Sequence, residues 1–280
     1  MKLFIDTNKE INYSLISFSG GERHIQLDET NPKAVNKVII QARITSPTAL
    51  IDLLLVENAL RNQYGKELIL ELELPYFPYS RQDRVCASGQ AFSLEVMTNL
   101  LSSLRLNKIV TWDAHSAVCV DMNDAVNIDP AQIIQADPQL LALLQAQDSV
   151  LICPDKGAVA RCTDIKEKLA LNTMVFCEKR RNPSTGKIIK TEVLADDLSG
   201  QCAVITDDIC DGGFTFIKIA EQLREKNVKK IVLFVTHGIF SKGFEVFDDL
   251  IDEVVTTDSF PQIEHSKLRV INFAYDFKAS

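Results

Sequence analysis

The spacing of apolar and polar positions along the chain predicts short strands that alternate with helices. Runs of β-branched and aliphatic residues bounded by turn residues indicate strands, and apolar residues three and four positions apart indicate helices. The predicted strands are 13–18, 38–41, 67–74, 109–112, 150–153, 173–177, 202–205 and 230–236, with closing strands near residues 254 and 270. The predicted helices are 48–64, 92–104, one within 129–147, 216–226 and one near 243–250, with Thr48 as the N-cap of the first and Gly65 as its end.

This alternation occurs in both halves of the chain, and acidic residues follow several strands in each half. Strands that alternate with helices are typical of parallel α/β sheets. A chain of 280 residues is long enough for two such domains. We therefore predict two similar α/β domains, each a mostly parallel sheet flanked by helices, with residues 1–146 in the first and 147–280 in the second.

Composition narrows the classes of protein that the chain can represent. With 46% hydrophobic residues it can form large cores, and no apolar run is as long as a membrane span. The first residues become polar too early for a signal peptide, so we expect a cytoplasmic protein without a membrane association. A net charge of -8 argues against sequence-independent nucleic-acid binding. The seven cysteines form no metal-binding spacing and are expected to be reduced thiols.

The segment 204–215 combines an apolar strand, acidic residues, glycines and a helix. Gly212 and Gly213 allow the backbone to approach an anion closely, and the helix that follows contributes the positive end of its dipole. Asp207 and Asp208 can accept hydrogen bonds from sugar hydroxyls or, through Mg²⁺, hold a diphosphate. The segment therefore predicts a phosphosugar-binding loop. The alternative is an acidic turn that only caps a helix.

Four further motifs carry charged or aromatic residues in loops or at strand ends. The prolines and aromatics of segment 75–84 forbid a helix and predict a stiff loop that ends in Arg81, Gln82 and Asp83. The others are Phe18-Ser19-Gly20-Gly21-Glu22, Asp113-Ala114-His115 with Asp155 after the later strand, and Glu178-Lys179-Arg180-Arg181.

Together, these motifs resemble those of the ribose-phosphate diphosphokinase (phosphoribosyl-diphosphate synthetase) family, in the same order and over most of the chain. The quoted segments are similar to the family's Phe-Ser-Asp-Gly-Glu, Pro-Tyr-Tyr-x-Tyr-x-Arg-Gln-Asp-Arg, Asp-Leu-His and Asp-Lys-Arg-Arg motifs and to its ribose-phosphate loop. The resemblance implies two domains of the type I phosphoribosyltransferase fold. It also implies Mg²⁺-dependent transfer of the diphosphate of ATP to the anomeric hydroxyl of ribose 5-phosphate, with release of AMP, by a homo-oligomer that is a dimer or a hexamer.

The resemblance assigns roles to individual residues. It implies that Lys179 and Arg181 are catalytic, on a mobile loop that can close over the site, and that His115 and Asp155 bind the metal. The ATP site would comprise Phe18, Glu22, Arg81, Gln82 and Asp83. The ribose 5-phosphate site would comprise Asp207, Asp208, Asp211, Gly212, Gly213, Phe214 and Thr215.

The chain departs from the family pattern at Phe214, where a glycine is usual, so we expect either a backbone in an allowed region there or a ring turned away. Lys156 stands where the family usually has histidine, and Val85 replaces a lysine. Two alternatives stay open: a phosphoribosyltransferase that acts on a nucleobase, and a catalytically weak regulatory relative of the synthetase.

Overall fold

The computed structural model describes residues 1–5, 9–181 and 188–273, and describes side chains outside the range 179–190. Within these ranges the chain divides into two compact units, Met1–Ile128 and Asp129–Phe273. Among the described residues, no helix is both long enough and apolar enough to cross a membrane.

The first unit is built on a six-stranded sheet with strand order β2-β1-β5-β6-β7-β8. Strands β5 to β8 are parallel, and β1 is antiparallel to both of its neighbours. Strands β3 and β4 form a separate antiparallel hairpin. The elements are β1 (Lys2–Ile5), β2 (Lys9–Glu10), β3 (Tyr13–Ser17), β4 (Arg23–Leu27), β5 (Lys37–Gln41), α1 (Pro47–Tyr64), β6 (Ile69–Glu73), α2 (Ser93–Ser102), β7 (Lys108–Trp112), α3 (Ala117–Asn123) and β8 (Val126–Ile128).

The second unit is built on a seven-stranded sheet with strand order β11-β10-β9-β12-β13-β14-β15. All neighbouring strands are parallel except β10 and β11, which pair antiparallel. The elements are α4 (Pro130–Gln135), α5 (Pro138–Gln145), β9 (Ser149–Cys153), a 3-10 turn (Lys156–Ala158), α6 (Val159–Lys168), β10 (Met174–Arg181), β11 (Ile188–Val193), β12 (Cys202–Cys210), α7 (Phe214–Glu225), β13 (Lys230–Gly238), a 3-10 turn (Glu245–Phe247), β14 (Glu253–Thr257) and β15 (Leu268–Ile271).

The prediction of two α/β units with mostly parallel sheets is confirmed. The units divide after Ile128, whereas the sequence analysis put the boundary between residues 146 and 147. The difference is made by α4 and α5, which pack against α6 and β9 and so belong to the second unit.

The ends of several elements differ from the sequence-based prediction. Helix α1 starts with Pro47, and its N-cap is Ser46, whose Oγ accepts the Ala49 N–H at 3.2 Å, so the prediction of Thr48 as the cap was wrong. Proline suits this first position because its missing N–H has no partner there in any helix. Gly65 ends the helix as predicted, with φ of 99°. The helix predicted near 243–250 is only the short 3-10 turn at Glu245–Phe247.

Each unit has its own hydrophobic core between its sheet and its helices. In the second unit, Ile205 and Leu233 of neighbouring strands are fully buried, as both faces of a parallel sheet require. In the first unit, Leu70 and Leu72 of β6 are fully buried in the core in the same way. All seven cysteines are free thiols and six of them are buried; the exposed one is Cys86.

Candidate active site

The acidic pair of the second unit lies within a strand, not in the loop after it. The strand predicted for residues 202–205 continues to Cys210 as β12, because its backbone stays paired with β13, with Asp207 opposite Val235. The carboxyl ends of β9, β12 and β13 lie at the same edge of the parallel sheet. Ligands of open α/β sheets bind at this edge.

Asp207 and Asp208 repel each other electrostatically. The backbone N–H of Asp208 donates to Asp207 Oδ1 at 3.0 Å. Burial, and next the negative charge of Asp208, raise the pKa of the Asp207 carboxyl to about 8, and the guanidinium of Arg161 offsets part of this rise. A sugar that donates hydroxyl hydrogens to this pair would relieve the repulsion, because each hydrogen bond stabilises a carboxylate oxygen.

The glycine turn after β12 is packed closely against the segment that follows β13. Gly213 has φ of 77°, and a Cβ atom there would lie 2.6 Å from Cζ of the buried Phe247. Only glycine fits this position without a shift of its neighbours. Asp211 closes the turn, since its Oδ1 accepts from Ser241 Oγ at 2.5 Å and its carbonyl accepts from Ser241 N–H at 3.0 Å.

Helix α7 begins directly after this turn, and its N-terminus is suited to binding an anion. Among the described residues, no side chain caps its first turn, and that turn contains no acidic residue. The open backbone N–H groups and the helix dipole together favour a phosphate near Thr215.

Phe214 does not disturb the loop. It is the first residue of α7, so its backbone is helical, and its side chain is 69% exposed. Its ring faces Lys218, whose Nζ lies 5.8 Å from the ring centroid. The expected conflict at this departure from the family pattern is therefore avoided by an outward ring.

Asp155 follows β9 and is held by backbone contacts. Its Oδ1 accepts the N–H groups of Gly157 and Ala158 at 2.9 and 3.2 Å, which starts the 3-10 turn. Within the described ranges, no three histidine, cysteine or acidic residues form a metal-binding group. Mg²⁺ is commonly held by one or two carboxylates together with substrate phosphates, so a fixed single carboxylate at this edge fits a cation that arrives with a nucleotide.

The first unit brings four of the predicted nucleotide and metal residues to one pocket. Arg81, Gln82, Asp83 and His115 line a pocket of about 450 Å³. Arg81 and Gln82 also line a second pocket of about 490 Å³, whose other walls include aromatic residues and prolines. These volumes lie in the range of small-ligand sites.

Asp83 is fixed by its neighbours within this pocket. Its Oδ1 accepts from Arg84 Nε at 2.8 Å, and its Oδ2 accepts from Ser116 Oγ at 2.7 Å. These hydrogen bonds, Arg84 first, lower the pKa of the Asp83 carboxyl to about 2. Asp83 is therefore an ionised acceptor, and a nucleotide would have to share it with Arg84 and Ser116.

Phe18 and Glu22 lie at the turn that joins β3 and β4. The Phe18 N–H donates to the Glu22 carbonyl at 2.9 Å, and the Phe18 ring is 52% exposed. Neither residue lines the two pockets beside Arg81 as these are formed by the described residues. The structure thus does not bring Phe18 and Glu22 together with the other predicted ATP residues of the first unit.

Lys179 and Arg181 belong to strand β10, whereas the sequence analysis placed them on a mobile loop. In the backbone pairing with β11, Lys179 is opposite Thr191 and Arg181 is opposite Ile188, with an irregularity between Arg180 and Arg181. The expectation of a loop was wrong up to residue 181 because the β-branched residues of β11 supply a pairing strand. The side chains of Lys179 and Arg181, and residues 182–187, lie outside the described part.

Comparisons with known proteins decide the family. Residues 7–104 match the profile described as the N-terminal domain of ribose phosphate pyrophosphokinase, and residues 183–274 match the phosphoribosyl synthetase-associated domain. The ribose-phosphate pyrophosphokinase of Pyrococcus furiosus is 31% identical over 255 residues, which are 89% of this chain and 86% of that protein. The chain belongs to the ribose-phosphate pyrophosphokinase family. This is the diphosphokinase family that the motifs resemble.

A second relative agrees with this membership, and a solved structure agrees with the fold. The ribose-phosphate pyrophosphokinase of Mycoplasmopsis pulmonis is 30% identical over 267 residues, covering 92% of this chain and 80% of that protein. The crystal structure of phosphoribosylpyrophosphate synthetase from Mycobacterium smegmatis superposes with a TM-score of 0.77 over 93% of this chain and 86% of that one. At 22% identity, this superposition supports the fold.

Sequence reasoning missed three residues that organise the candidate site. Ser116 and Ser241 fix Asp83 and Asp211, and Arg161 donates to Thr206 beside the acidic pair. Ser116 could have been found, because a serine before a helix is a typical N-cap, and it caps α3 here. Nothing in the local sequence points to Ser241 or Arg161, since their partners are 30 and 45 residues away.

Proposed function

We propose that the protein transfers the β,γ-diphosphate of ATP to the anomeric hydroxyl of ribose 5-phosphate and releases AMP and phosphoribosyl diphosphate. In this reaction the sugar oxygen forms a bond to the β-phosphorus, the bond between that phosphorus and the α,β-bridging oxygen breaks, and the hydroxyl proton goes to solvent. The observation that carries the proposal is the combination of an acidic pair, a glycine turn and an open helix N-terminus at one edge of the second sheet.

Ribose 5-phosphate is proposed to bind at this edge with its phosphate at the start of α7. The phosphate would be held by backbone N–H groups from Asp211 to Thr215, with Gly212, Gly213 and Phe214 contributing main chain only. The ribose hydroxyls would donate to Asp207 and Asp208. Because the turn is fixed by Ser241 and Phe247, little ordering is left to occur on binding, which favours affinity.

ATP fits the pocket beside Arg81. We assign its contacts to Arg81, Gln82 and Asp83, with stacking on Phe18 and a hydrogen bond to Glu22 supplied from another copy in a homo-oligomer of two or six chains. His115 and Asp155 are each proposed as a Mg²⁺ ligand, with the histidine acting partly through water. When bound, the cation would neutralise charge on the transferred phosphates.

Lys179 and Arg181 are proposed to stabilise the charge that develops on the phosphate oxygens during transfer. Arginine can contact two oxygens in one plane, and lysine can follow a point charge, so the two residue types complement each other. The proposed setting is the cytoplasm, where ATP is available.

The test is an analysis of nucleotide products with Mg²⁺, ATP and ribose 5-phosphate. We expect AMP and phosphoribosyl diphosphate in equal amounts, with no AMP when the sugar is left out. Formation of ADP without AMP would overturn the proposal. Consumption of phosphoribosyl diphosphate with a nucleobase, in the absence of ATP, would assign the chain to the phosphoribosyltransferases instead.

A further inference from the structure

Arg161 connects two parts of the second unit that meet at the candidate site. It lies in the first turn of α6, the helix that follows Asp155, and its Nη1 donates to Thr206 Oγ1 at 2.7 Å. Thr206 is in β12, 1% exposed, and directly precedes the acidic pair. A single side chain thus joins the start of α6 to the strand that carries Asp207 and Asp208.

The position of Arg161 also matters electrostatically. The guanidinium lies near enough to Asp207 to lower the pKa of its carboxyl, against the larger effects of burial and of Asp208. Two buried thiols also interact with this part of β12. Both are neutral, because a hydrogen bond with Cys153 and burial raise the pKa of Cys162, and burial raises that of Cys210. Arg161 therefore supplies positive charge beside the acidic pair.

A merely structural role would not require arginine here. Thr206 Oγ1 is a neutral acceptor that water or a neutral side chain could also satisfy. A guanidinium adds a fixed positive charge that cannot be lost and a planar geometry with several donors. Both are suited to holding the acidic pair in place before a sugar binds.

We propose that Arg161 is a positioning residue for ribose 5-phosphate: it anchors Thr206 and places positive charge beside Asp207, so that the acidic pair is held ready to accept the sugar hydroxyls. This inference rests on the proposed function. It differs from a catalytic role because Arg161 acts through Thr206 and Asp207 and needs no contact with the transferred phosphates.

The test separates charge, anchoring and general stability with four variants. Arg161→Met removes both the charge and the hydrogen bond, Arg161→Lys keeps the charge, and Thr206→Val removes only the acceptor. The matched control is Arg224→Met, because Arg224 also bridges elements of this unit, through Leu250 and Asp252, but lies in the last turn of the 12-residue α7, away from the glycine turn. Steady-state kinetics for each substrate are combined with calorimetric binding of ribose 5-phosphate without ATP, and with thermal melts.

We expect Arg161→Met to weaken ribose 5-phosphate binding and raise its KM by about tenfold, the effect of one charge-assisted contact. The KM for ATP should change by less than about twofold. Arg161→Lys should restore affinity for the sugar to within about threefold of wild type, and Thr206→Val should lie between Arg161→Met and wild type. Arg224→Met should leave both affinities unchanged.

Three results would overturn the inference: equal losses of affinity for both substrates, a fall in kcat with both KM values unchanged, or an Arg161→Lys variant as weak as Arg161→Met. If Arg161→Met does not fold, Arg161→Lys and Thr206→Val still decide, because each keeps part of the interaction. A wild-type protein that makes no phosphoribosyl diphosphate would contradict the proposed function instead, so the two failures are distinguishable.

Discussion

Replacing Asp207 with asparagine should stabilise the folded protein at pH 8, although it removes a proposed acceptor of the sugar hydroxyls. Asparagine keeps the oxygen that accepts the Asp208 N–H, and it removes the charge that burial and Asp208 disfavour. The pKa of Asp207 is raised from 3.8 to about 8, so the folded state holds a proton that the unfolded chain releases. The associated stability is fully present below the unfolded pKa, and it is lost as the pH rises through the folded value.

The size of the effect follows from this shift. A rise of about four pKa units corresponds to roughly 6 kcal/mol as an upper bound, at about 1.4 kcal/mol per unit. Asp207 is only half-buried, and its pKa depends on the charge of Asp208, so we expect only part of this bound, about 2 kcal/mol. For a domain of this size that is a rise in Tm of about 4–8 °C at pH 8.

The assay is a thermal melt of wild type and Asp207→Asn from pH 4.5 to 8. The two proteins should melt close together at the acid end, and the variant should gain stability relative to wild type as the pH rises. The control is Asp197→Asn, since hydrogen bonds from Ser199 lower the pKa of Asp197 and its replacement should give no stabilisation. If Asp207→Asn melts below wild type at pH 8, or if the difference is independent of pH, the electrostatic account of the acidic pair is wrong.

The remaining predictions concern the turn, the first core and the basic strand. Gly213→Ala should lower the free energy of unfolding by about 2–3 kcal/mol, because of the positive φ and the clash with Phe247. In Gly212→Ala the new Cβ meets only the flexible side chain of Lys242, so the loss should be less than about 1 kcal/mol. Denaturant titrations of both variants measure the difference. Arg61 is buried and donates to Glu57 and to several backbone carbonyls, so Arg61→Met should cost about 3 kcal/mol; a loss below 1 kcal/mol would contradict that role. Lys179→Ala should lower kcat by orders of magnitude with an unchanged melt, and a melt lowered by many degrees would instead indicate a structural lysine.

The α/β architecture could be predicted from the sequence because the periodicities of strands and helices are local features of the chain. Runs such as 202–205 and 230–236 were correctly read as strands, and the acidic pair and glycine turn were correctly placed next to each other along the chain. The extension of β12 through Asp207 could not be predicted, because acidic residues disfavour strands and the pairing with β13 overrides that preference.

Other features of the site depend on contacts between distant residues. The outward ring of Phe214 follows from helix α7 starting at that residue. The contact of Arg161 with Thr206 spans 45 positions, and the raised pKa of Asp207 depends on burial, which only the folded chain determines. The order of the motifs therefore indicates the family, whereas the electrostatics of the acidic pair depend on contacts that form only in the folded chain.

The central claim is that the acidic pair and glycine turn of the second unit bind ribose 5-phosphate. The most direct measurement is a calorimetric titration of wild type and Asp208→Asn with ribose 5-phosphate and, separately, with ATP and Mg²⁺. The account predicts at least a tenfold loss of affinity for the sugar in the variant and less than about a twofold change for the nucleotide, as expected when one charge-assisted hydrogen bond is weakened. Unchanged sugar binding, or an equal loss for both ligands, would contradict it.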